Sequence, residues 1–224
     1  MAITEVAILQ SSSSPLPASL KSIFTEDIKN INGWAASKPD LDFEGTWLFQ
    51  QVEDPSVMMM TAKWKDKKAY EQWVVSEEHL RVLPTVIPHL AMKDGKSNGD
   101  MWFLEGDMFT SVSNKAEGVE VGLLNSPVVS FNRYFVAAEG KDALERRFNQ
   151  VKGLLEDFAK PVSVRGAWRT DDEDGPRHAE WAVVVGWPSV EKHMDFAKQE
   201  SFAKYRELLA FITGFEARHY RRFS

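Results

Sequence analysis

Residues 45–64 read GTWLFQQVEDPSVMMMTAKW, and residues 166–187 read GAWRTDDEDGPRHAEWAVVVGW. Both segments open with glycine, have tryptophan two residues later and end on a tryptophan. The offsets between matching tryptophans are 168 − 47 = 121 and 187 − 64 = 123, in a chain with only 8 tryptophans. Such agreement indicates a repeat that covers residues 45–90 and 166–212. The repeat predicts two similar units rather than one large fold.

Each copy predicts a β-hairpin, because two apolar runs flank a segment rich in turn-forming residues. The turn residues are Glu53–Ser56 in the first copy and Asp171–Pro176 in the second. Val57–Met60 and Val183–Val185 do not alternate with polar residues. We therefore expect both faces of those strands to be covered.

An amphipathic helix is predicted before each hairpin from apolar residues at spacings of three and four. These residues are Leu20, Phe24, Ile28, Ile31 and Trp34, then Leu144, Phe148, Val151, Leu155 and Phe158. An apolar strand precedes each helix, and a second helix and a fourth strand follow each hairpin. The order strand, helix, strand, strand, helix, strand is that of a ferredoxin-like unit.

The sequence thus predicts an α+β fold of two tandem ferredoxin-like units, residues 1–106 and 127–224, joined by a polar linker at 107–126. Helices cover only one face of each sheet, so the two bare apolar faces are expected to pack sheet to sheet as an intrachain α+β barrel. Such a chain supplies its own pseudo-dimer, which is compatible with a monomer.

Composition narrows the class of function. Lysine and arginine total 27 against 33 acidic residues, a net charge of −6, which argues against a nucleic-acid partner. The chain has no cysteine, so thiol catalysis and cysteine-ligated metals are excluded. We see no secretion signal and no apolar window of eighteen residues, so we expect no membrane association and a cytoplasmic location.

Residues 64–80, WKDKKAYEQWVVSEEHL, combine a tryptophan-ended strand, a helix and a short break before a histidine. Residues 187–202, WPSVEKHMDFAKQESF, form the second copy. This pattern resembles the dimeric α+β barrel superfamily in a tandem form. Its members include cofactor-free quinone-forming monooxygenases, polyketide cyclases, lactone isomerases and haem-degrading oxygenases, so the resemblance implies a fold and a broad set of activities.

The resemblance also implies site residues. Similar polyketide cyclases have a catalytic histidine after the second helix, and His79 falls on that position, with Trp73 on the position of an aromatic hydroxyl. The second unit has Phe202 and Phe196 there, which suggests a single working pocket. The axial histidine of the haem-degrading relatives is replaced by Leu83 and Arg206, so haem binding would need another histidine such as His193.

His79 is therefore predicted to be a general base, since a neutral imidazole can accept a proton near pH 7. The alternative is that it only finishes a helix. A wall of tryptophans around a cavity between the halves would suit an aromatic ligand. Those residues are Trp47, Trp64, Trp73, Trp168 and Trp187. Arg169 could bind a carboxylate or an enolate, or form a salt bridge at the rim.

Neither a cofactor nor a metal is assigned. Asp171, Asp172, Asp174 and His178 resemble a loose metal set, but a solvated hairpin tip fits their spacing better. The leading hypothesis is a cofactor-independent enzyme that cyclises or isomerises a hydrophobic, aromatic or polyketide-like small molecule by proton abstraction. A cofactor-free monooxygenase that forms a quinone is the alternative. A non-catalytic module for small-molecule binding or stress response is another.

Overall fold

The computed structural model describes residues 1–109, 122–162, 164–170 and 178–223. The chain forms two compact units, the first of Met1–Asp107 with Arg221–Ser224 and the second of Met108–Tyr220. The predicted linker 107–126 falls mostly on residues outside the described ranges.

The first unit has six strands and three α-helices among its described residues. They are β1 Ile3–Gln10, α1 Ala18–Ala36, β2 Gly45–Gln51, β3 Val57–Trp64, α2 Lys67–Val74, α3 Glu77–Val86, β4 Met92–Lys93, β5 Lys96–Ser97 and β6 Gly99–Glu105. The four long strands form an antiparallel sheet in the order β6-β1-β3-β2. The short hairpin β4–β5 was not predicted from the sequence.

The second unit repeats this order among its described residues, except for a counterpart of the short hairpin β4–β5. Its elements are β7 Val128–Ala137, α4 Lys141–Ala159, β8 Val164–Trp168, β9 His178–Trp187, α5 Val190–Phe196, α6 Glu200–Tyr205 and β10 Gly214–Arg222. The strands pair in the order β10-β7-β9-β8, again antiparallel. The predicted α+β class with two tandem ferredoxin-like units is confirmed.

Both faces of β3 are buried, as its unbroken apolar run predicts. Met58 is 1% exposed and lies with Leu48 against α1, whereas Met59, on the opposite face, is 0% exposed. The second helical region is interrupted: α2 ends at Val74 and α3 begins at Glu77. This is the short break before His79 that the resemblance implies.

Equivalent positions of the two units follow from the pairing with the first strand of each unit. Trp64 lies opposite Ile3, and Trp187 lies opposite Val128. Both tryptophans come two residues before a helix N-cap, where Asp66 and Ser189 accept backbone hydrogen bonds at 2.9 and 3.2 Å. These caps satisfy otherwise unpaired N–H groups and fix where the helices begin.

The sequence repeat aligned residues 45–47 with residues 166–168, and this alignment is wrong in the structure. Thr46 lies opposite Ala62, and Val185, the counterpart of Ala62, lies opposite Val164 rather than Ala167. The two hairpins are therefore shifted by three residues in register, although the repeat of whole units holds.

The helices in the described residues are all too short or too polar to cross a membrane. The described ranges also contain no cluster of three or more metal-binding side chains. Residues 171–177, which include the three aspartates of the acidic hairpin tip, lie outside them.

Candidate functional site

A cavity of about 60 Å³ lies inside the first unit, between the sheet and its three helices. Its walls are largely apolar, and its polar groups come from four different elements. The lining residues are Glu5, Phe24, Asp27, Ile28, Ile31, Thr46, Leu48, Met60, Tyr70, Trp73 and His79. An apolar cavity with a few converging polar groups is the usual form of a small-molecule site.

Three polar atoms of this lining are buried and have no hydrogen-bond partner within the described residues: Asp27 Oδ1, Thr46 Oγ1 and His79 Nδ1. Thr46 is only 7% exposed. Leaving a buried polar atom unpaired costs about 1–3 kcal/mol. Three such atoms around one cavity indicate that a ligand or water completes their hydrogen bonds.

His79 lies in the first turn of α3. Its backbone N–H donates to Ser76 Oγ at 3.2 Å, which fixes the start of the helix. The alternative in which His79 finishes a helix is therefore wrong. Trp73 contacts the imidazole edge to face, with ring centroids 5.2 Å apart. Burial lowers the pKa of His79 below 6.5, so the ring is neutral and able to accept a proton at neutral pH.

Glu5 provides the most buried carboxyl of the cavity. It is 6% exposed, and its Oε2 accepts a hydrogen bond from Trp64 Nε1 at 2.8 Å. Burial raises the pKa of Glu5 to about 7, against the lowering effect of the indole N–H. Glu5 therefore exchanges a proton near neutral pH, which an exposed carboxyl does not do.

Asp27 is the second carboxyl, on the inner face of α1. Burial raises the pKa of Asp27 to about 6. Its charge adds to the raised pKa of Glu5. The cavity thus combines two carboxyls with pKa values raised toward neutrality and an imidazole whose pKa is lowered, on three different elements.

A larger open groove of about 650 Å³ adjoins the cavity, and Ile28 and Thr46 line both. Trp47 and Phe43 provide aromatic surface in the groove, and Lys38 and Arg222 provide positive charge. The groove is wide enough for a ring system that the cavity alone could not hold.

Only two of the seven residues predicted for the site, His79 and Trp73, line the cavity. Trp64 lies one layer behind it, fully buried, and acts through its hydrogen bond to Glu5. Trp47 lines the groove rather than the cavity. These four belong to the first unit.

The other three predicted residues lie in the second unit, with partners there. Trp168 Nε1 donates to Glu145 at 2.9 Å, and Trp187 Nε1 donates to Ser130 Oγ at 2.9 Å. Arg169 forms an ion pair with Glu180 at 3.4 Å. Arg169 thus makes a salt bridge, which was the alternative to a ligand contact.

The counterparts of the polar cavity residues in the second unit are less polar. Glu5 lies opposite Ala62 and Ser130 lies opposite Val185, so Ser130 corresponds to Glu5. Thr46 corresponds to Val164 by the register given above.

The helices give the remaining correspondences. The buried faces of α1 and α4 match at an offset of 124, as in Phe24 and Phe148, which places Val151 at the position of Asp27. Phe202 stands three residues after the N-cap of α6, as His79 does after that of α3. Each of the three residues with an unpaired polar atom in the cavity, Asp27, Thr46 and His79, thus has an apolar counterpart in the second unit.

Sequence reasoning missed Glu5, Asp27 and Thr46. One signal was available: Glu5 interrupts an apolar strand at a position whose neighbours two residues away, Ile3 and Ala7, are apolar. A charge on the inward side of a strand is costly and therefore informative.

No protein-family model matches the sequence, and no curated protein matches it. Solved structures share its fold over the whole chain. A protein from Fusobacterium nucleatum, provisionally named a monooxygenase, superposes with a TM-score of 0.65 at 11% identity, over 100% of this chain and 93% of that one. An anthrone oxidase-like protein has a TM-score of 0.61 at 14% identity, over 100% and 92%.

A protein provisionally named a chlorite dismutase has a TM-score of 0.56 at 12% identity, over 100% of this chain and 95% of that one. The chain therefore has the ferredoxin-like α+β fold of these proteins, as residues 64–80 predicted. At such identities the similarity concerns the fold, and function has to be argued from the cavity.

Proposed function

We propose that the first unit is the catalytic unit of a small-molecule oxygenase that acts on an apolar, hydroxylated substrate without a cofactor. The observation on which this depends is the set of three unpaired polar atoms, on Asp27, Thr46 and His79, around one apolar cavity. The names of two structures with the same fold, a monooxygenase and an anthrone oxidase-like protein, support the oxygenase class.

The cavity suits the reacting edge of a substrate rather than the whole molecule. An engineered apolar cavity that binds benzene measures about 150 Å³. The cavity measures about 60 Å³, which is room for a hydroxyl group and a small molecule such as dioxygen or water. In the proposed complex the rings of the substrate lie in the adjoining groove beside Trp47.

His79 takes the first proton. The neutral imidazole accepts it from the phenol or from the activated methylene group of the substrate, which gives a delocalised carbanion. That anion passes electrons to dioxygen and forms a carbon–oxygen bond, and the resulting hydroperoxide loses water. For a methylene group the balance is CH₂ + O₂ → C=O + H₂O, so all four electrons come from the substrate.

The other residues of the cavity have supporting roles in this proposal. Trp73 packs on the imidazole and limits its rotation. Asp27 and Glu5, which titrate near neutrality, can return a proton to the peroxide oxygen that leaves as water. Phe24, Leu48 and Met60 exclude bulk water from the anion.

Cyclisation or isomerisation of the substrate stays a prediction, because it needs the same proton transfer and no oxygen. A non-catalytic binding module also stays open to test. Haem binding through His193 is less well supported. Its Nδ1 lies 2.7 Å from His219 Nε2 and its ring stacks on Trp187 at 4.6 Å, so it is already engaged within the second unit.

The test is oxygen uptake with anthrone as probe: anthrone plus O₂ gives anthraquinone plus water. Wild-type protein should accelerate this reaction, and His79→Phe should lower the rate by about 10²–10⁴-fold. The variant should fold, because the second unit has Phe202 at the equivalent position. His89→Phe is the control, since His89 lies in the same unit but does not line the cavity.

Three results would contradict the proposal in different ways. Product formed without oxygen uptake would favour a cyclase or isomerase. Binding of anthrone without turnover in either protein would favour the binding module. A Soret band after haem addition, lost in His193→Phe, would point to haem in the second unit.

A further inference from the structure

We infer that Asp27 and Glu5 set a charge preference: the cavity takes the hydroxyl end of an uncharged ligand and rejects a carboxylate. This deepens the proposed function, because it specifies which class of hydroxylated molecule the same cavity admits. Ligand binding can be measured without turnover, so the charge preference can be tested separately from the oxygenase activity.

The titratable groups that face the cavity come from the three α-helices of the first unit and from its first strand. Glu5 is on β1, Asp27 on α1, Tyr70 on α2 and His79 on α3, whereas β2 and β3 contribute Thr46, Leu48 and Met60. The lining contains no lysine or arginine. A bound carboxylate would therefore have two acidic neighbours and no full positive charge to pair with.

The unpaired atoms fit a hydroxyl group. Asp27 Oδ1 has no hydrogen-bond partner within the described residues, so this oxygen of the ionised carboxylate needs a donor. Thr46, 7% exposed, has a hydroxyl that can donate or accept, and the neutral imidazole of His79 can do the same. A ligand O–H can donate to Asp27 and accept from Thr46, whereas a carboxylate can only accept.

The raised pKa values of both carboxyls agree with this geometry. Burial is the largest cause for Glu5 and for Asp27, and the charge of Asp27 adds to the effect on Glu5. Burial in the cavity disfavours ionisation of Glu5 beside Asp27. A negative charge on a bound ligand is disfavoured for the same reason.

The preference is local to the cavity. The adjoining groove is lined by Lys38 and Arg222 as well as by acidic residues, so an anionic group placed there is not excluded. The test therefore has to report on the inner end of the site, and the imidazole of His79 is the natural probe.

The experiment uses two ligands of similar size and different charge: phenol and benzoate. Their binding is followed at pH 7.5 and constant ionic strength by the NMR signals of the His79 ring, assigned with His79→Phe. Phenol should shift these signals saturably, with an affinity at least ten times that of benzoate. In Asp27→Asn, the affinity for phenol should exceed that for benzoate by about threefold or less.

Two controls accompany Asp27→Asn. Glu26→Gln removes the same charge from the adjacent, exposed residue of α1 and should leave the phenol-to-benzoate affinity ratio unchanged. Thr46→Val should weaken the binding of phenol but not that of benzoate. Both cavity variants should fold, because the second unit has Val151 and Val164 at these positions, and thermal unfolding checks this.

The inference is overturned if phenol fails to shift the His79 signals, if benzoate binds as tightly as phenol, or if Asp27→Asn leaves the phenol-to-benzoate affinity ratio unchanged. Absence of anthrone-dependent oxygen uptake, with the charge preference intact, would instead refute the oxygenase proposal alone.

Discussion

Trp64 Nε1 donates a hydrogen bond to Glu5 Oε2 at 2.8 Å, and the equivalent indole of the second unit, Trp187, donates to Ser130 Oγ at 2.9 Å. The same tryptophan position thus satisfies its N–H in both units, with an ionisable partner only in the first. A serine is sufficient for the hydrogen bond. The carboxyl of Glu5 is therefore more than the fold requires, which is the reason to look for its role in the cavity.

Glu5→Gln should change how stability depends on pH. The folded pKa of Glu5 is about 7 and its ordinary value is 4.5, so the folded protein binds the extra proton between them. In the wild type, the contribution of Glu5 to the free energy of unfolding therefore falls as the pH rises from about 4.5 through about 7. The variant lacks this contribution, which is up to about 3 kcal/mol.

Urea unfolding of both proteins at pH 4.5 and pH 8 measures the effect. The free energy of unfolding of Glu5→Gln, relative to that of the wild type, should be higher at pH 8 than at pH 4.5. An equal difference at the two pH values would show that Glu5 ionises in the folded protein as it does in the unfolded chain.

His79 should titrate below the ordinary histidine value of 6.5, because burial disfavours its charged form. NMR titration of the ring signals, assigned by their loss in His79→Phe, gives the midpoint. If His79 is the base in turnover, the acid limb of kcat/KM against pH should include that midpoint. A midpoint at or above 6.5 would contradict the buried environment.

Ser76→Ala should remove the N-cap of α3 and cost about 1 kcal/mol of stability. Because the hydroxyl accepts from the backbone N–H of His79 itself, the loss should also loosen the imidazole. Ser76→Asp is the matched control, since aspartate caps a helix equally well. We expect Ser76→Asp to retain stability and oxygen uptake, whereas Ser76→Ala loses part of both.

Gly186→Ala should destabilise the second unit by about 1–3 kcal/mol through overpacking. An added Cβ would fall inside the contact distance of Ser126 Oγ and Val162 Cγ1. Gly153→Ala, in α4, meets nothing within 4 Å and should stabilise the helix by about 0.5–1 kcal/mol. Thermal unfolding of the two variants should therefore move in opposite directions.

The order of elements was predictable because it depends on local periodicity. Phe24 and Phe148 mark helix stripes, and the tryptophans that end β3 and β9 mark the hairpins, whatever the tertiary structure. The exact register was not predictable in this way. A Gly-x-Trp pair occurs in both hairpins, yet pairing places Val164, not Ala167, at the position of Thr46.

The candidate site was predictable only where the resemblance supplied a position. His79 and Trp73 follow from residues 64–80, whereas Asp27 and Thr46 are separated from them by dozens of residues. A spacing of three or four residues says which side chains share one helix face, and nothing about which strand faces that helix. The convergence of α1, β1, β2 and α3 on one cavity became visible only in three dimensions.

The replacement of Asp27, Thr46 and His79 by Val151, Val164 and Phe202 has a consequence for how such a chain can change over evolution. In an assembly of identical subunits, one codon determines both copies of a residue, so a substitution that helps one copy is imposed on the other. A fused repeat is free of that constraint. One half can keep reactive groups while its sibling drifts toward a purely structural interior, and laboratory selection could exploit the same freedom by randomising only the first half.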